Sequence, residues 1–295
     1  MNPQVDVLCN MPDQVGESPL WSVAEQALYW VDIEGRAVRR YDWHSDQIES
    51  WPTAERIGCI ALHEQGGLVA GMESGLFHLR LFADSKLDAQ RLVAVSHPRA
   101  GMRFNDGRCD RQGRFWAGTM VLDMSLGAAD GALFRFDRRG LSKPLVDGLI
   151  TPNGLAFGAD GRTMYLSDSH PSRQQIWRFD LDADGTPTDR RLFVDMTSLP
   201  GRPDGAAMDS DGGYWVCGND AGQVHRFTPD GRLDRSITVP VSKPAMCAFG
   251  GPQLDWLFIT SIRPAQPPPG QQDLAGALFA TRPGATGLAE VAFSP

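Results

Sequence analysis

Residues 152–195, "PNGLAFGADGRTMYLSDSHPSRQQIWRFDLDADGTPTDRRLFVD", decide the fold. Four apolar runs rich in aromatic and β-branched residues lie at 154–158, 163–169, 175–180 and 190–195. Gly, Asp, Ser and Pro separate them, so the segment reads as four strands joined by turns. One polar residue is out of place: Asn153, a poor strand former, stands at the mouth of the first run.

The same order recurs along the chain. Second runs appear as "ALYW" (27–30), "GLVAGM" (67–72), "RFWAGTM" (114–120), "TMYLSDS" (163–169), "GYWVCGND" (213–220) and "WLFITS" (256–261). Taking Tyr29, Val69, Trp116, Tyr165, Trp215 and Phe258 as markers, the steps are 40, 47, 49, 50 and 43 residues. Third runs follow, such as "RAVRRYD" (36–42) and "GALFRFD" (131–137), and first runs precede, such as "SPLW" (18–21) and "GCIALH" (58–63). No stretch holds apolar residues at helical spacing between caps. Six such units predict an all-β, six-bladed β-propeller with four-stranded antiparallel blades, a single domain over residues 1–295.

Fourth strands are expected at 47–51, 90–95, 143–147, 190–195, 235–239 and 288–293, with "VDVLC" (5–9) a further strand for closing the ring. Which terminus completes the last blade stays open. The Pro-rich "RPAQPPPG" (263–270) reads as a surface loop.

Composition narrows the function classes. A net charge of -8 with no basic stripe argues against a nucleic-acid partner. The longest apolar runs fall far short of the about 18 residues of a membrane span, so no membrane partner is expected. Five widely spaced cysteines without a C-x-x-C pair, and a start lacking a basic and then apolar leader, fit a reduced cytoplasmic chain. A monomer or weak homo-oligomer is expected.

In a propeller the first strand of each blade lines the central channel, so the residue at its head points into the funnel. That slot holds Glu17, Ile57, Asn105, Asn153, Asp204 and Ala245 or Pro244. Four of the six carry hard oxygens, the donor type of a Ca²⁺ or similar divalent site. Turn chemistry alone would explain Asn and Asp in "PNG" and "PDG", but not Glu17 in "GESPLW". Other motifs lead nowhere. "DLDADGTPTDRR" from Asp180 imitates an EF-hand loop but has Arg191 where a bidentate Glu is needed. There is no G-x-S-x-G, no H-E-x-x-H and no G-x-G-x-x-G opening a helix.

"GESPLW" (16–21), "RFNDGRCD" (103–110), "AGTM" (117–120), "PNGLAF" (152–157), "YLSDS" (165–169) and "PDGAAMD" (203–209) together resemble the SMP-30, regucalcin and gluconolactonase family of sugar lactonases. The resemblance runs over roughly residues 10 to 285. It implies a six-bladed propeller with one divalent metal ion in the channel, Ca²⁺ first, with Zn²⁺, Mn²⁺ or Mg²⁺ as other occupants. It implies Glu17, Asn153 and Asp204 as metal ligands, and Arg103 and Asn105 as substrate-binding residues with Asn105 also near the metal. Asp123 matches the acidic residue that contacts sugar hydroxyls, one methylene shorter than the glutamate common there.

The implied reaction is hydrolysis of a sugar lactone to the aldonic acid, with a metal-polarised carbonyl and Asp204 as general base. Glu17 is the only other carboxylate in the tabulated slots. Two alternatives share the fold: a metal-dependent phosphotriesterase or esterase, and a non-catalytic calcium-binding propeller.

Overall fold

Each repeat folds as an antiparallel sheet whose strands are hydrogen-bonded in sequence order. A computed structural model describes residues 3–295. Blade 1 is built from Gly16–Ser22, Ala27–Asp32, Ala37–Asp42 and Ile48–Pro52, and blade 2 from Ile57–Leu62, Leu68–Met72, Gly75–Leu81 and Leu87–Ala94. Blade 3 comprises Met102–Cys109, Phe115–Val121 and Gly131–Asp137, its outer edge split between Gly140–Leu141 and Val146–Leu149. Blade 4 is Pro152–Phe157, Thr163–Asp168, Gln175–Leu181 and Pro187–Asp195; blade 5 is Arg202–Met208, Tyr214–Asn219, Gln223–Phe227 and Leu233–Thr238. The only helical turns among the described residues are two short 3-10 segments. No helix there is long and apolar enough to cross a membrane.

Blade 6 settles the closure of the ring. Pro244–Gly250, Trp256–Ser261 and Leu278–Thr281 are completed by the N-terminal Val5–Cys9, which pairs with Leu278–Thr281. The expected fourth strand at 288–293 is therefore corrected. That segment belongs to a tail crossing the end of the propeller, with backbone bonds from Gly287 to Leu254, Ser210 to Thr286, Ser294 to Gly113 and Phe293 to Leu62. Leu288 packs beside the far ends of the inner strands of blades 4 and 5, and Phe293 between blades 2 and 3. A crevice of about 20 Å³ lies there, between Leu288, Glu290 and residues such as Cys109, Phe157 and Phe249.

The core is divided into six apolar clusters, one at each blade interface. Strand geometry explains this. Successive side chains point to opposite faces, and here both faces are covered by a neighbouring blade. In blade 4, Leu155 and Phe157 pack toward blade 3, while Ala156 packs toward blade 5. The inner strands therefore read as continuous apolar runs.

A recurring aspartate fastens the first turn of the blade. Asp209 accepts hydrogen bonds from Gly213 N (2.6 Å), the Trp215 indole (2.8 Å) and Arg226 Nε (2.7 Å), and Asp110 does the same for Arg114 and Trp116. The acidic 180–191 segment is a hairpin turn: Asp182 accepts from the Asp184 and Thr186 amides, and Asp180 pairs with Arg191. All five cysteines are buried and unpaired.

Asp209→Ala would strip Gly213 N, the Trp215 indole and Arg226 Nε of their shared acceptor and leave the largely buried Arg226 guanidinium with Asp234 alone. A loss of about 3–5 kcal/mol is expected, measured as a lower urea midpoint at unchanged slope.

Candidate metal centre and active site

Every inner strand carries a register shift against its neighbour. The shifts lie between Glu17 and Leu20, Ile57 and Cys59, Phe104 and Gly107, Asn153 and Ala156, Pro203 and Ala206, and Pro244 and Cys247. A bulge adds one residue to one strand and re-aims the side chains around it. Glu17 and Asn153 are the last paired residues before their bulges, whereas Asn105 and Asp204 fall inside theirs. These four thus lie within the strands, not ahead of them.

The bulges leave backbone groups without ladder partners, and side chains from adjacent blades take them up. Ile60 N donates to Ser18 Oγ (2.9 Å), Leu155 N to Asp106 Oδ2 (2.8 Å), and the Tyr214 hydroxyl to Gly154 O (2.7 Å). Gly154 has φ 61°, and a Cβ there would meet the Tyr214 hydroxyl at 2.4 Å. Only glycine fits that place.

Glu17, Asn105, Asn153 and Asp204 line one cavity of about 240 Å³, together with Arg103, Ser169, Arg202 and Asn219. Ile57 and Ala245, from the remaining blades, are wholly buried and do not line it. Arg103 Nη1 donates to Asn105 Oδ1 (2.6 Å), and Asn105 Nδ2 donates to Asn153 Oδ1 (2.9 Å). Asn153 Nδ2 donates to Ser169 Oγ (2.6 Å), whose proton goes to Pro203 O (2.6 Å). Asn219 Nδ2 donates to Asp204 Oδ2 (2.5 Å). The chain of bonds fixes each amide so that its carbonyl oxygen and nitrogen are distinguished.

Charge in this cavity is poorly balanced. Glu17 and Asp204 are buried and neither has an ion-pair partner among the described residues. Burial pushes the Glu17 carboxyl well above the usual range, and repulsion from Asp204 and Asp106 adds to it. Burial likewise pushes Asp204 up to about 7, against the pull of Arg202 and Asn219. Asn219 Oδ1 and Asp106 Oδ1 are buried without hydrogen-bond partners.

Two facing carboxylates, amide oxygens and an orphaned acceptor make a donor set of hard oxygens, which suits Ca²⁺, Mg²⁺ or Mn²⁺. Among the described residues no three His, Cys, Asp or Glu side chains converge on one point. The fit therefore depends on Asn153 as a neutral third donor beside Glu17 and Asp204.

Arg103 is nine-tenths buried, has no carboxylate in ion-pair range among the described residues, and leaves Nε unpartnered. Asp123 is placed elsewhere. It is exposed, and its carboxylate caps the 3-10 turn Met124–Leu126 by accepting from Ser125 N (3.0 Å) and Ser125 Oγ (2.5 Å). Its neighbours Leu122 and Met124 line the cavity, and Asp123 itself caps the loop that carries them. Asn219, Ser169 and Arg202 escaped sequence reasoning. The available signal was the polar end of the second strands, "LSDS" and "CGND".

A family model described as "SMP-30/Gluconolactonase/LRE-like region" matches residues 15–263. A 6-deoxy-6-sulfogluconolactonase of Pseudomonas putida is 38% identical over 297 residues, covering 100% of both chains. A pentonolactonase of Haloferax volcanii is 32% identical, over 97% of this chain and 95% of that protein. Among solved structures, a calcium-binding protein, regucalcin, of Agrobacterium tumefaciens superposes with TM-score 0.90 at 25% identity, over 99% of this chain and 98% of that one.

The raised carboxyls set a pH dependence. Without metal, the folded chain holds protons on Glu17 and Asp204 that the unfolded chain has released, so this stability is present below about pH 4 and falls as pH rises, the Asp204 part being lost through about pH 7. A divalent cation competes with those protons, so added Ca²⁺ should raise the melting temperature more at pH 8 than at pH 5. Glu17→Gln should remove most of that gain. Scanning fluorimetry with and without chelator measures both.

Proposed function

The chain belongs to the SMP-30/gluconolactonase/LRE-like family, and on that premise we propose that it is a metal-dependent lactonase that hydrolyses a sugar lactone to its aldonic acid. One observation carries the reading: Glu17, Asn153, Asp204, Arg103 and Asn105 line a single cavity, with two unpaired carboxylates among them. The lactonase names of full-length relatives at 38% and 32% identity support it.

Glu17, Asn153 and Asp204 would hold the cation. When bound, it supplies Lewis acidity to the lactone carbonyl and draws the raised carboxyls down into their ionised forms. The other roles follow from the hydrogen-bond network. Arg103 spends Nη1 on Phe104 O and Asn105 Oδ1, so Nη2 is left to reach ring oxygens. This fixes the lactone in one pose.

Asp204 is the general base. Asn219 occupies Oδ2, and Oδ1 accepts a proton from the attacking water. Water adds to the carbonyl carbon, the bond from that carbon to the ring oxygen breaks, and the proton held on Asp204 passes to the ring oxygen as it becomes a hydroxyl. The carboxylic acid formed then ionises, which is the acid a pH-stat records.

With a panel of neutral aldonolactones, acid release should require a divalent cation and stop with chelator. Asp204→Asn at saturating metal should lower kcat by about a thousandfold. Asn153→Ala should mainly weaken cation affinity. Chelator-resistant turnover would overturn the metal role, and a fully active Asp204→Asn would overturn the base.

A further inference from the structure

We propose that Arg202 reads a negative charge on the substrate, so that the preferred lactones carry a carboxylate, sulfonate or phosphate at the end away from the lactone carbonyl. The proposal rests on the lactonase reading and sharpens its substrate class. Arg202 opens the inner strand of blade 5 and lines the cavity two residues before Asp204. Its Nε donates to Asp220 Oδ2 (2.6 Å) and its Nη1 to Ser169 O (2.9 Å). Two of the three guanidinium nitrogens are thereby fixed. Nη2 has no partner among the described residues, so one edge of a locked planar cation is left for a ligand.

The charge balance around it points the same way. Lys243 also pairs with Asp220, so two cations share one carboxylate and a surplus positive charge remains over blades 5 and 6. Glu34, in the turn after the second strand of blade 1, also lines the cavity, and there Arg56 serves two carboxylates, Glu34 (2.9 Å) and Glu73 (2.8 Å). That rim has a surplus negative charge. A lactone with an anionic end is therefore attracted by one side and repelled by the other, and enters in one orientation. Arg103, buried without a carboxylate, adds positive potential deeper in the same cavity.

The test compares kcat/KM of the metal-loaded enzyme for a neutral aldonolactone with that for lactones of the same ring ending in a carboxylate, a sulfonate or a phosphate. The wild type should favour at least one anionic lactone, and the ranking of the three identifies which group. In Arg202→Gln the anionic-to-neutral ratio should fall about ten- to a hundredfold, carried mainly by KM. Arg202→Lys, which keeps the charge, should restore part of the ratio, and added salt should erode the wild-type preference. Equal efficiency of wild type on all four lactones would overturn the proposal while leaving the lactonase reading intact. An Arg202→Gln that loses neutral and anionic lactones alike would also overturn it, and would reduce Arg202 to a strut for Ser169. No acid release from any lactone would instead overturn the lactonase reading itself.

Discussion

A single backbone irregularity, the bulge repeated in all six inner strands, governs this molecule. A regular strand packed between two blades has both faces committed to apolar neighbours and no direction left for a polar group. One extra residue breaks that alternation and turns a side chain toward the axis. In blades 1, 3, 4 and 5 the side chain turned inward is Glu17, Asn105, Asn153 or Asp204. The same irregularity frees amides and carbonyls, and Ser18, Asp106 and Tyr214 bind them from neighbouring blades. The distortions that expose the site are therefore also the joints that hold its blades in register.

Much of the fold was legible because the blade repeats a local signal. Runs of apolar residues, a tight turn and an aromatic second strand follow from propensity and spacing, and they recur six times. Closure was not legible, since 5–9 and 288–293 are both short and apolar, and only the pairing of Val5–Cys9 with Leu278–Thr281 separates them. The site was partly legible through the oxygen-bearing residues at equivalent slots.

Its fine structure was not. "PNG" and "PDG" look alike, yet Asn153 is paired and followed by a left-handed glycine, while Asp204 lies inside the bulge and Gly205 is not left-handed. Nor does the place of Asp123 in the sequence show that its carboxylate accepts from the Ser125 amide. Asn219 ends a second strand and Ser169 directly follows one, where nothing in the sequence distinguishes a partner of the site from a strand end.

The tail at 284–295 gives the channel a floor. It crosses the far ends of the inner strands, away from the cavity that Arg202 and Glu34 help to line. In a lactonase whatever enters neutral or singly charged leaves with one more negative charge. A positive rim that captured an anionic lactone would also detain its more anionic product, so strong capture and quick release would be in opposition. Asp220, which offsets part of the charge of Arg202 and Lys243, sets the balance between the two.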